Sequence, residues 1–180
     1  MKKILLVFLL FFSIIISAQD LSYESVIKVD SLVSKDELYN RARTWAKENY
    51  NYKNNVIITE DRINGEISCT GSFDYRTNNK YQGYTCVEGP IKYNLTIYVK
   101  DGRYKYVFNA FDHKGSSGNL CRAGDFGRMK VGNDAPSIGK GIAFDKGWED
   151  VKIKINKKIL LLISNLENGM NKKYESNNDW

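Results

Sequence analysis

With one histidine in 180 residues, His113, the chain has no means of building a multi-histidine metal site or a pair of catalytic imidazoles. Prolines number two, which excludes a proline-rich linker or recognition arm. Cysteines number three, Cys69, Cys86 and Cys121, and none stands near the N-terminus where a lipid-anchored protein would need one. No apolar run reaches the ~20 residues that span a bilayer. The longest, Ile4 to Ile16, is about thirteen residues with Ser13 as its one polar member. Basic residues outnumber acidic ones 27 to 21, but the lysines are scattered through every segment. A nucleic-acid binder concentrates them on one face, so these lysines read as solvated. Gly139-Lys140-Gly141 looks like a phosphate loop, yet that pattern needs Gly at 134 and Ser or Thr at 141, where Asp134 and Gly141 stand. Neither Gly-x-Ser-x-Gly nor His-Glu-x-x-His occurs.

What the N-terminus does have is the three-part pattern of a secretory signal peptide. Lys2 and Lys3 precede the apolar run, and Ser17-Ala18 offers small residues before Gln19. Cleavage after Ala18 is expected, leaving residues 19–180 as an exported protein, periplasmic or secreted, and not a lipoprotein. Losing Lys2 and Lys3 takes the net charge from +6 to +4. In an oxidising compartment three cysteines read as one bridge and one leftover thiol.

The rest of the pattern predicts an α+β domain in the order β-α-β-β-β-β-α. Residues 26–29 are a short β-branched run. Ser34-Lys35-Asp36-Glu37 then has capping-box spacing, with Val33 and Leu38 at staple positions. Leu38, Ala42, Trp45, Ala46 and Asn49 share one helical stripe, which predicts a helix from about Lys35 to Tyr50. Asn64-Gly65 has the chemistry of a two-residue turn joining strands 56–63 and 66–75. Counting outward from it puts Val56 opposite Phe73, Ile58 opposite Gly71, Thr59 opposite Thr70 and Ile57 opposite Ser72. Asp101-Gly102 joins strands 91–100 and 103–111 in the same way. There Val99, Ile97 and Leu95 meet Tyr104, Tyr106 and Phe108, so the apolar pattern itself fixes the register. A last helix is marked by Asp145 as N-cap, by Trp148, Val151, Ile155, Ile159, Leu162 and Leu166 at spacings of three and four, and by Gly169 as its stop. Ile153, Leu160 and Ile163 widen its apolar stripe.

These elements make a single two-layer domain over 19–170, an antiparallel sheet covered by two helices, followed by a polar tail, 171–180. Two segments fall outside the pattern: 77–89, and an insert, 113–143, holding seven glycines. Cys69 lies on an inward strand face as a small buried hydrophobe. Extending the Asp101-Gly102 register backwards brings Cys86 opposite about Ser117, near Cys121, so the expected bridge is Cys86–Cys121.

At this point the chain resembles a family of exported bacterial proteins carrying a domain of unknown function with a TATA-box-binding-protein-like (TBP-like) fold. The residues that carry the resemblance are Val26-Ile27-Lys28-Val29-Asp30, the Ser34 to Tyr39 cap with Ala42 and Trp45, Leu95 to Tyr106 around Asp101-Gly102, and Trp148-Glu149-Asp150-Val151. The likeness spans most of 26–166. It implies the fold and carries over no reaction, catalytic residue or cofactor.

Searching the residues for chemistry yields little. A Cys121–His113 nucleophile pair needs a reduced Cys121, which export disfavours, and His113 otherwise reads as a surface residue just past a strand. Asp112, Asp125, Asp134 and Asp145 flank or occupy the insert, but their spacing fits no metal loop. The unusual positive feature is aromatic. Tyr98 and Phe111 are assigned to the outward sheet face, with Tyr81 and Tyr84 in the first irregular segment, and together these four form the candidate binding surface. The sequence thus favours a non-catalytic exported module that binds an envelope protein or ligand, without cofactor, metal or nucleic acid. The alternative is an exported hydrolase using the acids of the insert.

Overall fold

The computed structural model describes residues 19–52, 55–78, 83–117, 124–132, 135 and 142–174; the expected signal peptide, 1–18, lies outside them. In chain order the elements are β1 (Tyr23–Lys28), α1 (Lys35–Asn49), β2 (Asn51–Tyr52), β3 (Asn55–Asp61), β4 (Glu66–Tyr75), the single turn α2 (Tyr84–Val87), β5 (Gly89–Lys100), β6 (Arg103–His113), β7 (Gly127–Arg128) and α3 (Ile142–Asn171). The strands form an open antiparallel sheet in the order β1-β6-β5-β4-β3-β2, with β7 beside β6. The protein is therefore α+β, and β2, α2 and β7 are additions to the predicted order. Among the described residues no helix is long and apolar enough to cross a membrane. Contacts gather the chain into two compact units. Among the described residues, one is drawn from 22–72, 93–109 and 156–174, here the hairpin unit; the other from 19–21, 73–92 and 110–155, here the insert unit.

In the hairpin unit, β1 pairs antiparallel with β6, from Tyr23 opposite Phe108 to Lys28 opposite Arg103. The Asp101-Gly102 turn is two residues long, and Gly102 takes a positive φ, +67°, a conformation open to glycine without strain. Alternation then buries Tyr93, Leu95, Ile97 and Val99 together with Tyr104, Tyr106 and Phe108. Each side chain so buried contributes roughly 1.5–3 kcal/mol. Ser34 caps α1, its hydroxyl accepting from the Glu37 amide at 3.2 Å. The reciprocal half of the capping box is absent because Glu37 turns instead to Arg41 and the Tyr174 amide. From α1, Leu38, Tyr39, Ala42, Trp45 and Ala46 are buried. Just beyond its end, the Tyr50 hydroxyl meets that of Tyr93 at 3.1 Å.

The first hairpin departs from the expected register. Asp61 is opposite Glu66, so the turn holds four residues rather than two. The Asp61 carboxylate stabilises it by accepting from the backbone and side-chain nitrogens of Asn64, at 2.9 and 2.7 Å. A bulge between Ile57 and Thr59 shifts the pairing again. Val56 consequently faces Thr70 rather than Phe73, Ile57 faces Cys69 rather than Ser72, and Thr59 faces Ser68 rather than Thr70. Gly71 is not covered by Ile58; the Tyr93 ring lies against it, where any Cβ would collide. Val56 and Ile58 are left exposed.

Helix α3 begins three residues before Asp145 and continues past Gly169. Asp145 lies in its first turn instead of capping it. In the insert unit it buries Trp148, Val151 and Ile155, and in the hairpin unit Ile159, Leu166 and Met170. Ile153 and Leu160 are exposed, so the seam is narrower than the apolar pattern implied. Gly169 does not end the helix. A Cβ there would stand 2.6 Å from Trp45 Cδ1 and 3.2 Å from Cγ. The glycine is a packing residue that admits the indole of α1.

Gly169→Ala is expected to destabilise the protein despite alanine's better helix propensity. Propensity contributes about 1 kcal/mol in favour, whereas overpacking against a fixed indole costs about 1–3 kcal/mol. A lower urea midpoint at unchanged m-value would show it; a higher midpoint would mean that Trp45 yields.

Candidate functional site

The alternation that buries one face of the hairpin unit's sheet leaves the other uncovered. Tyr98 projects from β5 and is 41% exposed, and Val26 from β1 is 55% exposed. Around them stand Glu24, Lys28, Lys100 and Arg103, with Val107 and Lys105 half-buried. The pairing of β1 with β6 sets Glu24 beside Val107 and Val26 beside Lys105. Lys105 Nζ meets Glu24 Oε2 at 2.9 Å. Further across, Thr70 Oγ1 lies 3.5 Å from Asn94 Oδ1. The charges named on this face are four cations and one carboxylate, with aliphatic groups and one tyrosine set among them.

Of the four aromatic residues expected to form a surface, three are described, and one of these, Tyr98, is exposed. Tyr98 is outward, as alternation predicts. Tyr84 is half-buried at the start of α2, and Tyr81 lies outside the described residues. Phe111 is a correction: it is fully buried in the insert unit. The cause is Ala110, whose φ of +57° interrupts the strand's alternation. Asp112 is left exposed, while Phe111 and His113 turn inward.

His113 is a second correction, since it is the terminal residue of β6 and 1% exposed rather than a surface group. Its Nε2 donates to the Val87 carbonyl at 2.7 Å, and Nδ1 accepts from the Phe126 amide at 3.3 Å. Those partners fix a neutral tautomer. Tyr75 and Phe126 pack against the ring, and Phe126 meets Trp148 edge-on. The returning insert also pairs β7 with β6, with Asp112 opposite Arg128 and His113 opposite Gly127. The Tyr75 hydroxyl donates to Asp150 Oδ2 at 2.6 Å. Trp148 Nε1 and Lys152 Nζ both donate to the Gly132 carbonyl. Of the insert's acids, Asp125 Oδ1 is occupied by the Gly115 amide at 2.7 Å, and Asp134 lies outside the described residues. No cluster of three His, Cys, Asp or Glu suited to a metal occurs among the described residues.

Cys69 is a free buried thiol, its pKa pushed up to about 12 by burial, so it is not an activated nucleophile. Cys86 is buried in α2, and its expected partner Cys121 lies outside the described residues.

The hairpin unit also holds a groove of about 750 Å³ that the sequence did not reveal. Its lining includes Arg41, Trp45, Asn49, Asn165, Lys172 and Tyr174. No linear motif marks it, because α1 and the end of α3 are more than a hundred residues apart and meet through Gly169.

Chain comparisons bear on the fold. A family model described as a domain of unknown function (DUF4468) with TBP-like fold matches residues 23–114, half of the chain. A TBP-like protein from Parabacteroides distasonis ATCC 8503 superposes with a TM-score of 0.65 at 15% identity, over 86% of this chain and 95% of that one. A DUF4468 family protein from Bacteroides ovatus ATCC 8483 gives a TM-score of 0.54 at 9% identity, over 85% and 87%. At these identities the likeness is one of fold. No curated protein matches.

Acid should weaken the insert unit through His113. Burial first of all, against smaller opposing contributions from Val87 and from Asp125 and Asp112, holds its pKa below the ordinary imidazole value. The unfolded chain then takes up a proton that the folded one refuses. The stability from keeping His113 neutral is complete above about pH 6.5 and is lost as pH falls toward the lowered folded pKa. His113→Gln, which keeps a donor for Val87, should melt lower at pH 7.5 but lose less on going to pH 5. Equal losses in both proteins would remove His113 from the acid response.

Proposed function

The chain belongs to the DUF4468 family, domains of unknown function with a TBP-like fold, and we propose that it is an exported, non-catalytic binding module of the bacterial cell envelope that docks a partner protein on the open sheet face of its hairpin unit. The observation that carries this reading is Tyr98 and Val26 standing exposed on the sheet, opposite the face on which β5 and β6 bury Leu95, Ile97, Tyr104 and Tyr106. Tyrosine offers a large, rigid contact with a polar tip, which suits it to recognition. Lys105 is already paired to Glu24, and the remaining cations around Tyr98 suit a protein surface that presents acidic groups. Export is supported by Lys2, Lys3, the apolar run and Ala18.

The absence of catalysis is supported by how the reactive groups are used. His113 has both ring nitrogens committed to backbone groups, and Asp125 is spent on the Gly115 amide. A photo-crosslinking amino acid at position 98 should give a discrete adduct in envelope fractions. The same probe at position 157, exposed on α3, should not. Equal labelling at both positions, or none at 98, would remove the sheet face as the docking surface.

The bridge Cys86–Cys121 belongs to the same proposal. The Cys86 carbonyl accepts from the Gly124 amide at 2.8 Å. Three residues of chain reach at most ~10 Å, which keeps Cys121 within range of Cys86. Alkylation of the denatured, unreduced protein should then modify one thiol, Cys69, and reduction should expose two more. Three alkylated thiols without reduction would show that no bridge forms.

A further inference from the structure

The groove between α1 and the end of α3 is built from amides whose orientation the structure dictates. An indole N–H can only donate, and Trp45 Nε1 donates to Asn165 Oδ1 at 2.6 Å. The Asn165 NH2 is therefore left as a donor to the groove. A backbone carbonyl can only accept, and that of Trp45 accepts from Asn49 Nδ2 at 2.8 Å. The Asn49 Oδ1 is therefore left as an acceptor. One buried tryptophan thus sets a donor on one helix against an acceptor on the other.

The far end is closed by Glu37. Its Oε1 accepts from Arg41 Nε and from the Tyr174 amide, each at 2.8 Å, which holds the chain leaving α3 against α1. Arg41 also donates to the Met170 carbonyl at 2.9 Å. Lys172, Lys173 and Tyr174 are thereby placed in the lining. With Arg41 paired to Glu37, the other charged residues of the lining are Lys172 and Lys173 against Glu48. At about 750 Å³ the groove falls within the size range of small-molecule sites, roughly 300–1,000 Å³. Trp45 is buried and supplies a floor rather than a stacking platform, so the groove offers little to an apolar guest.

We propose that this groove binds a sugar acid, free or as the end residue of an acidic glycan, its hydroxyls meeting Asn49 and Asn165 and its carboxylate meeting Lys172 and Lys173. The proposal is independent of the sheet face, which it does not use.

The test is titration of the nitrogen-15-labelled protein with galacturonate, trigalacturonate and galactose, read at the Trp45 indole N–H and the side-chain amides of Asn49 and Asn165. Both acids, or the trimer alone, should shift these resonances saturably, and galactose should not. A tighter trimer identifies a glycan end as the source; equal affinities identify the free acid. The double variant Lys172→Gln/Lys173→Gln should weaken binding roughly tenfold or more, as expected for loss of charge-assisted hydrogen bonds. Lys157→Gln/Lys158→Gln makes the same charge change at exposed positions on α3 and should leave it unaltered. Absence of a saturable shift with either acid, equal shifts with galactose, or undiminished binding in the Lys172/Lys173 variant would each overturn the proposal.

Discussion

The left-handed backbone at Ala110 is the constraint on which the insert unit depends. An alanine with φ of +57° gives up roughly 1–2 kcal/mol relative to ordinary strand geometry. Uninterrupted alternation would set Asp112 on the covered face and Phe111 in solvent. Burying an unpaired carboxylate costs several kcal/mol, and exposing Phe111 forfeits roughly 1.5–3 more. The irregularity is the cheaper solution. It also aims His113 inward, where the ring joins the α2 carbonyl of Val87 to the Phe126 amide of the returning insert. Once Phe126 is held there, β7 can pair with β6, and the Met129 amide reaches the Phe111 carbonyl at 2.9 Å.

What the sequence made legible follows from how local each signal is. Ser34 capping α1 and Asp101-Gly102 closing β5 on β6 are decided within a few residues, and both fold as their chemistry dictates. Asn64-Gly65 has equally good turn chemistry, yet Asp61, three residues before Asn64, competes successfully by capping a longer turn. A carboxylate accepting from two nitrogens outweighs a dipeptide preference, and the longer turn together with the bulge beyond it moves Val56 three places along β4. Nothing at positions 64 and 65 announces that competition. Ala110 was likewise illegible, because alanine ordinarily marks neither a bulge nor a positive φ.

The groove was illegible for a different reason. Its parts are ordinary alone: Asn49 at the end of α1, Asn165 on α3, and a glycine that reads as a helix stop. Only the approach of the two helices turns Gly169 from a terminator into a contact surface for Trp45. The same approach brings the Trp45 indole to Asn165 and turns Arg41 to the Met170 carbonyl. A residue that could serve two purposes is resolved by its three-dimensional neighbour, and no window of sequence contains that neighbour.

The disposition of polar groups separates what is structural from what is available. In the insert unit the groups most suggestive of chemistry are consumed internally: His113 by two backbone groups, Asp125 by an amide, and Asp150 by Tyr75. Freeing any of them to act on a substrate would leave a backbone or hydroxyl group unpartnered, at about 1–3 kcal/mol each where buried. In the hairpin unit, by contrast, Tyr98 and the ions around it on the sheet, and Lys172 and Lys173 in the groove, stand at the surface. Engaging them with a ligand disrupts no packing. A surface that can be used without cost to the fold is where binding is expected, and here the regular strands and helices provide it.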